Sequence, residues 1–156
     1  MTENKNNRII VLSHLTQPLQ ANGAGNVHGG EIMKMMDNAA GTVAIKYSKG
    51  NVVTARVDEL MFLKPVMINS LVMCTAEIVY VGSTSMEVLV TVETDDIKTD
   101  NGPDVALTAY FTMVAMDENG HPRKIPKFNP ETDVEWKHYK EAEERRETYQ
   151  ARLKCR

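Results

Sequence analysis

In the stretch GNVHGGEIMKMMD, residues 25–37, Gly29 and Gly30 open an apolar run with helical spacing, and Asp37 follows seven residues after Gly30. The first turn of a helix leaves backbone N–H groups unpaired at the positive end of its dipole. Glycine there lets a ligand oxygen come close to the backbone, so the turn could bind a phosphate or polarise a carbonyl. The plainer alternative is a tight loop-to-helix junction. At 100° per residue Asp37 lies at the edge of the apolar arc, close to Met33 and Ala44, on one stripe with Gly30 and Gly41. A carboxylate against apolar surface needs a partner or a purpose, because burying it uncompensated is costly. It would serve as a proton acceptor or a nucleophile, or else bond to a loop or pair with Lys34. The Asn26 amide could orient water, donate to an oxyanion, or cap the helix. His28 could be a base, or a loop histidine without a catalytic role.

Spacing adds a constraint. Gly30 and Asp37 are separated by about 10 Å along a helix rising 1.5 Å per residue, too far for one carbonyl to meet both. Two antiparallel copies of the helix would bring Asp37 of one against Gly30 of the other, which implies a twofold dimer with two composite sites. Further along, Lys64, Arg123, Lys124 and Lys127 fall at strand ends, where they would suit the phosphates of a nucleotide-bearing substrate or simply be solvated.

The elements that must position these groups follow from periodicity. Residues 8–15 read as a short strand, and 16–26 as a loop rich in Pro, Asn and Gly. A helix is predicted from Gly29 to Tyr47, with Ile32, Met33, Met36, Ala39, Ala40, Val43, Ala44 and Tyr47 on one broad arc. An arc this wide implies a helix largely surrounded by protein, with Gly50 as its C-terminal stop. Strands are predicted at 52–63, 71–81, 84–97 and 104–116. Met86, Val88, Val90 and Val92 share one face of the third, and Val105, Leu107, Ala109, Phe111, Met113 and Ala115 one face of the fourth. VGSTS at 81–85 makes a hairpin turn. One long helix followed by a meander of long strands packs most simply as an antiparallel sheet curled round the helix, an α+β fold.

The chain has 156 residues, 42% of them apolar and 25% charged, with net charge −3. That is one domain of globular composition, with no basic excess for nucleic acid and no run long enough for a membrane span. The polar N-terminus has no secretory h-region, and Cys74 and Cys155 lack metal-ligand spacing, so a reduced cytoplasmic setting is expected. Ten methionines against three phenylalanines suit either ordinary core filling or a pocket for variable apolar shapes. Residues 131–156 differ: seven acids and seven bases surround a thin stripe of Trp136, Tyr139, Ala142, Tyr149 and Leu153. This reads as a surface helix, supported by Glu141 and Arg145 at i,i+4 spacing and docked on a neighbour through Trp136. The domain is therefore placed at 1–130, with a charged tail at 131–156.

Four motifs carry a resemblance: P-x-x-x-N-x-x-G-N-V-H-G-G-x-x-M-x-x-x-D from Pro18 to Asp37, VVTARVDELMFLKPV, VGSTSMEVLVTVE, and ALTAYFTMVAMDENGHPRKIPKF. Together, over Leu15 to Phe128, they resemble the hotdog-fold acyl-CoA thioesterases, closest to the branch of YciA-like enzymes and brain-type cytosolic acyl-CoA hydrolases. The resemblance implies about five antiparallel strands wrapped round one central helix. It implies dimers joined edge to edge, often as trimers of dimers, with sites at the dimer interface. It makes Asp37 the catalytic carboxylate, places Asn26 at the polar position of the preceding loop, and gives the Gly30 N–H to the thioester carbonyl. His28 falls where relatives vary. Gly29, Lys64, Ser83, Ser85 and Arg123 become the candidates for holding CoA, although the VGSTS turn lacks the basic residue of some relatives.

The expected reaction is hydrolysis of acyl-CoA to a free acid and CoA, with no cofactor and no metal. Asp37 would act as general base or as nucleophile, and the packing of Met33, Met36 and Met61 with residues of the partner copy would set the length of the acyl pocket. Two rivals share the fold: an enoyl-CoA hydratase or dehydratase using His28 with an acid, and a non-catalytic acyl-CoA sensor that has no need of Asp37.

Overall fold

The computed structural model describes residues 7–155. Strand β1 (Ile9–Leu15) leads through a short 3-10 turn (Pro18–Gln20) and a loop into the long helix α1 (Gly29–Ser48). Four strands follow, β2 (Val52–Phe62), β3 (Leu71–Val81), β4 (Ser85–Asp95) and β5 (Asp104–Ala115), and then the helix α2 (Asp133–Lys154). The strands form one antiparallel sheet in the order β1-β3-β4-β5-β2, so β1 and β2 are its edges.

Alternation builds the core. Val72, Cys74, Ala76 and Ile78 of β3, Met86, Val88, Val90 and Val92 of β4, and Leu107, Ala109, Phe111, Met113 and Ala115 of β5 are all buried. They meet Ile32, Met36, Ala39, Ala40, Val43, Ala44 and Tyr47 of α1, which touches all five strands. Burial pushes the Cys74 thiol up to about 11, so it stays a thiol.

The structure departs from the sequence reading at four points. Val105 is exposed and Ala106 buried, because a bulge between Val92/Leu107 and Glu93/Val105 shifts the alternation by one. Met33 is also exposed: the sheet covers one side of α1 and leaves the flank bearing Met33, Asp37 and Ile45 open. The left-handed residue after α1 is Lys49 (φ 57) rather than Gly50. A Cβ at Gly50 would lie 2.5 Å from Nη2 of Arg123, so the guanidinium would have to shift to admit one.

The fourth departure concerns α2, which packs on the chain's own sheet. Arg145 does not pair with Glu141. It binds the buried Glu87 carboxylate of β4 through Nε (2.9 Å) and Nη2, and lies over the Tyr110 ring. A buried carboxylate gains more from such a partner than an exposed one does. Burial pushes the Glu87 carboxyl up, against the opposing pull of Arg145. Tyr139 meets the Tyr80 ring at a tilt and the Phe128 and Trp136 rings edge to face, so Trp136 joins an intrachain aromatic cluster.

Candidate active site

The start of α1 is held from the loop before it. The Asn22 side-chain oxygen accepts from the N–H groups of Ala24 (2.9 Å) and Asn26 (3.2 Å), and the Asn22 N–H donates to Asn26 O at 2.7 Å. This closes a small turn through Gly25, whose φ of +83 suits glycine. Asn26 pairs with Met67, and Val27 N–H donates to Val66 O, fixing the loop to the segment after β2. His28 N–H donates to Gln20 O (2.7 Å) and the residue becomes the N-cap, its ring Nδ1 accepting the Gly30 N–H at 3.0 Å. The expected donor, Gly30, is therefore engaged by the histidine that the sequence left without a role. The Gly29 N–H has no partner among the described residues.

Asp37 projects from the open flank of α1, where Thr54 of β2 donates its hydroxyl to Oδ1 at 2.6 Å. One carboxylate oxygen is thus fixed, and Asp37 as a residue is exposed. Thr54 escaped the sequence reading, although a signal was present. Asp37 lies on the flank facing the first strand after the helix, and Thr54 offers a hydroxyl early in that strand.

The remaining candidates divide between two ends of the sheet. Thr54 lies opposite Met113, which lies opposite Met86, so the turn with Ser83 and Ser85 shares the Asp37 end. Phe62 lies opposite Leu107, and next to it Lys64 binds Asp104 at 2.6 Å, at the end of the sheet where Phe62 packs on Gly29. The two ends are about 20 Å apart along β5, from Leu107 to Met113. Arg123 is committed elsewhere, donating to Ser48 O (2.9 Å) and Met116 O (3.1 Å). It satisfies carbonyls at the C-terminus of α1, where a cation is favoured, and is not an open surface charge. Ser83 receives the Ile125 N–H at its carbonyl oxygen (3.0 Å), and Arg146 of α2 lies against Gly82 in the same turn.

Within one protomer the Asp37–Thr54 pair and the start of α1 beside Phe62 thus lie at opposite ends of the sheet. A cleft of about 450 Å³ lies between β1 and α1, lined by Leu12, Glu31, Lys34, Met35 and Asn38, on the flank away from Asp37. Among the described residues, no cluster of three or more His, Cys, Asp or Glu could hold a metal ion. No helix among them is long and apolar enough to cross a membrane.

A five-stranded antiparallel sheet wrapped on one long helix is the architecture of the hotdog class. The chain belongs to the thioesterase superfamily, whose family model matches residues 24–100. It is 38% identical over 138 residues to Protein VdlD of Helicobacter pylori, covering 88% of this chain and 78% of that one. It is 35% identical to the mouse cytosolic acyl coenzyme A thioester hydrolase over 86% of its length, but spans only 35% of that longer protein. Among solved structures, an acyl-CoA hydrolase of Staphylococcus aureus in complex with butyryl-CoA and CoA superposes with TM-score 0.86, at 34% identity, covering 96% of this chain and 90% of that one. Single alanine variants of that enzyme, solved separately, replace an asparagine, an aspartate and a threonine, successively fifteen and seventeen residues apart. An apo-hexameric acyl-CoA thioesterase superposes with TM-score 0.90, at 28% identity over 97% of both chains.

Proposed function

We propose that this protein hydrolyses acyl-CoA thioesters, with Asp37 as general base. The observation that carries this reading is the Thr54–Asp37 hydrogen bond of 2.6 Å on an otherwise open flank of α1. The bond orients the carboxylate and leaves its second oxygen able to take a proton from water. Water oxygen then attacks the thioester carbon, and the oxyanion that forms meets the N-terminus of α1 from a second copy. The C–S bond breaks, the acid leaves, and the CoA sulfur takes the proton. Gly29 N–H is the readier donor, because use of Gly30 N–H requires the His28 ring to turn away.

Asn22, Asp37 and Thr54 stand at the same two separations, fifteen and seventeen, as the residues varied in the S. aureus enzyme. This favours Asn22 over Asn26 as the loop amide of the site, its side chain being the one that closes the loop turn. The catalytic unit is placed at 1–130 and a charged tail at 131–156, whose helix α2 packs on the chain's own sheet.

The site is shared between copies. β2 is an unpaired edge with exposed Val53, Met61 and Phe62, as a twofold strand pair requires. Pairing β2 antiparallel with its copy about the strand midpoint brings the Thr54 end of one to the Phe62 end of the other. The same operation brings Lys64 of one copy toward Ser83 and Ser85 of the other, around one CoA. A trimer of such dimers accords with the hexameric neighbour, and a cytoplasmic location with the cytosolic mouse relative. No cofactor is required by this chemistry.

The direct test is Asp37→Asn. Turnover of acyl-CoA should fall by about 10³-fold or more while CoA binding stays within a few-fold. Wild-type turnover in the variant would refute the assignment. Single-turnover hydrolysis in oxygen-18 water checks the general-base role: the first product carries solvent oxygen, whereas a nucleophilic carboxylate would put its own oxygen there.

A further inference from the structure

Three consecutive apolar side chains at the end of β2 are open to solvent: Met61 (59% exposed), Phe62 (47%) and Leu63 (59%). Strict alternation would turn Phe62 away from its two neighbours, and isolated exposed apolar residues need no explanation, but a contiguous run does. Just before the run, the register with β5 slips between Asp58 and Met61, and Glu59 adopts a φ of 54. A bulge of this kind re-aims the side chains that follow it. Here it sets the Phe62 ring over the first turn of α1, its Cζ 3.3 Å from where a Gly29 Cβ would stand. Absence of a side chain at Gly29 gives the ring its seat, and the rest of the ring remains uncovered.

We infer that Phe62 is the wall that limits the acyl chain. The inference rests on the two-copy site described above. There, a thioester carbonyl at the start of α1 is attacked from the Asp37–Thr54 end of the partner, and the first acyl carbons leave the carbonyl beside the Phe62 ring. The pantetheine arm of CoA, with its two amides, would seek hydrogen-bond partners, and the Met61–Leu63 side chains offer none. A hydrocarbon chain needs only apolar contact. Of the methionines expected to set pocket length, Met36 is fully buried against the sheet and cannot line a substrate channel, whereas Met33 and Met61 are open. Phe62, the rigid member of the exposed run, is better suited than either flexible methionine to stop a chain at a defined length.

The test is a hydrolysis panel with butyryl-, octanoyl- and palmitoyl-CoA on the full chain and its Phe62→Ala, Phe62→Leu and Phe62→Trp variants. The ratio of kcat/KM for palmitoyl- to butyryl-CoA should rise about tenfold in Phe62→Ala, rise less in Phe62→Leu, and fall in Phe62→Trp. A ratio unchanged within about twofold in all three variants overturns the inference. So does an equal loss for every chain length, which would make the ring a support for the helix or the CoA arm. Asp37→Asn is run alongside. If it turns over at the wild-type rate while the ratios shift, the catalytic reading fails and the wall stands. If it is inactive and the ratios do not move, the wall alone fails.

Discussion

Asp37 could be picked out from the sequence because a carboxylate at the margin of an apolar arc is costly without a partner. Its partner was missed: Thr54 is seventeen residues away and is brought beside it by the packing of β2 on α1. If Thr54 orients the base, Thr54→Ala should lower kcat by about 10–100-fold with little change in KM, measurable with any acyl-CoA the enzyme turns over. His28, which the sequence left without a catalytic role, caps α1 with its ring. Replacing it by alanine should cost about 1 kcal/mol, seen as a fall of several degrees in Tm. The same change frees the Gly30 N–H, so kcat should hold or rise. A large loss of kcat would instead give His28 a part in the chemistry, as the hydratase reading requires.

Among the elements, both helices and all five strands were legible within a residue or two, because long apolar periods of 3.6 and 2 dominate this chain. What escaped was irregularity. The bulge that buries Ala106 and exposes Val105, and the left-handed Lys49 where Gly50 was expected, depend on neighbours distant in sequence. The docking of α2 was hidden for the same reason: Arg145 and Glu87 are 58 residues apart. That pair makes a prediction about pH. The Glu87 carboxyl is raised from 4.5, chiefly by burial, so the folded state holds its proton to higher pH than the unfolded state does. Its contribution to stability is therefore present below about 4.5 and is lost as pH rises through the folded value. Glu87→Gln keeps an acceptor for Arg145 and removes the titration. The Tm of wild type minus that of the variant should fall as pH is raised from 4 to 7. A constant difference would place the titration elsewhere.

At the scale of the whole molecule, the proposed site divides between two ends of one sheet. Asp37 and Thr54 share one end of β2, Gly29 and Phe62 the other, and about 20 Å of sheet separates them. The expectation of a second copy came from the helical rise between Gly30 and Asp37 alone. Which groups would fill each half was not legible, because that depends on strand register. Mixed oligomers decide the matter. Asp37→Ala and Asn22→Ala proteins should each be inactive alone. After subunit exchange in equal amounts, half the dimers are mixed and each has one intact site, so about a quarter of wild-type activity should return. Exchange confirmed by native mass spectrometry with no recovery of activity would contradict a site shared between two copies.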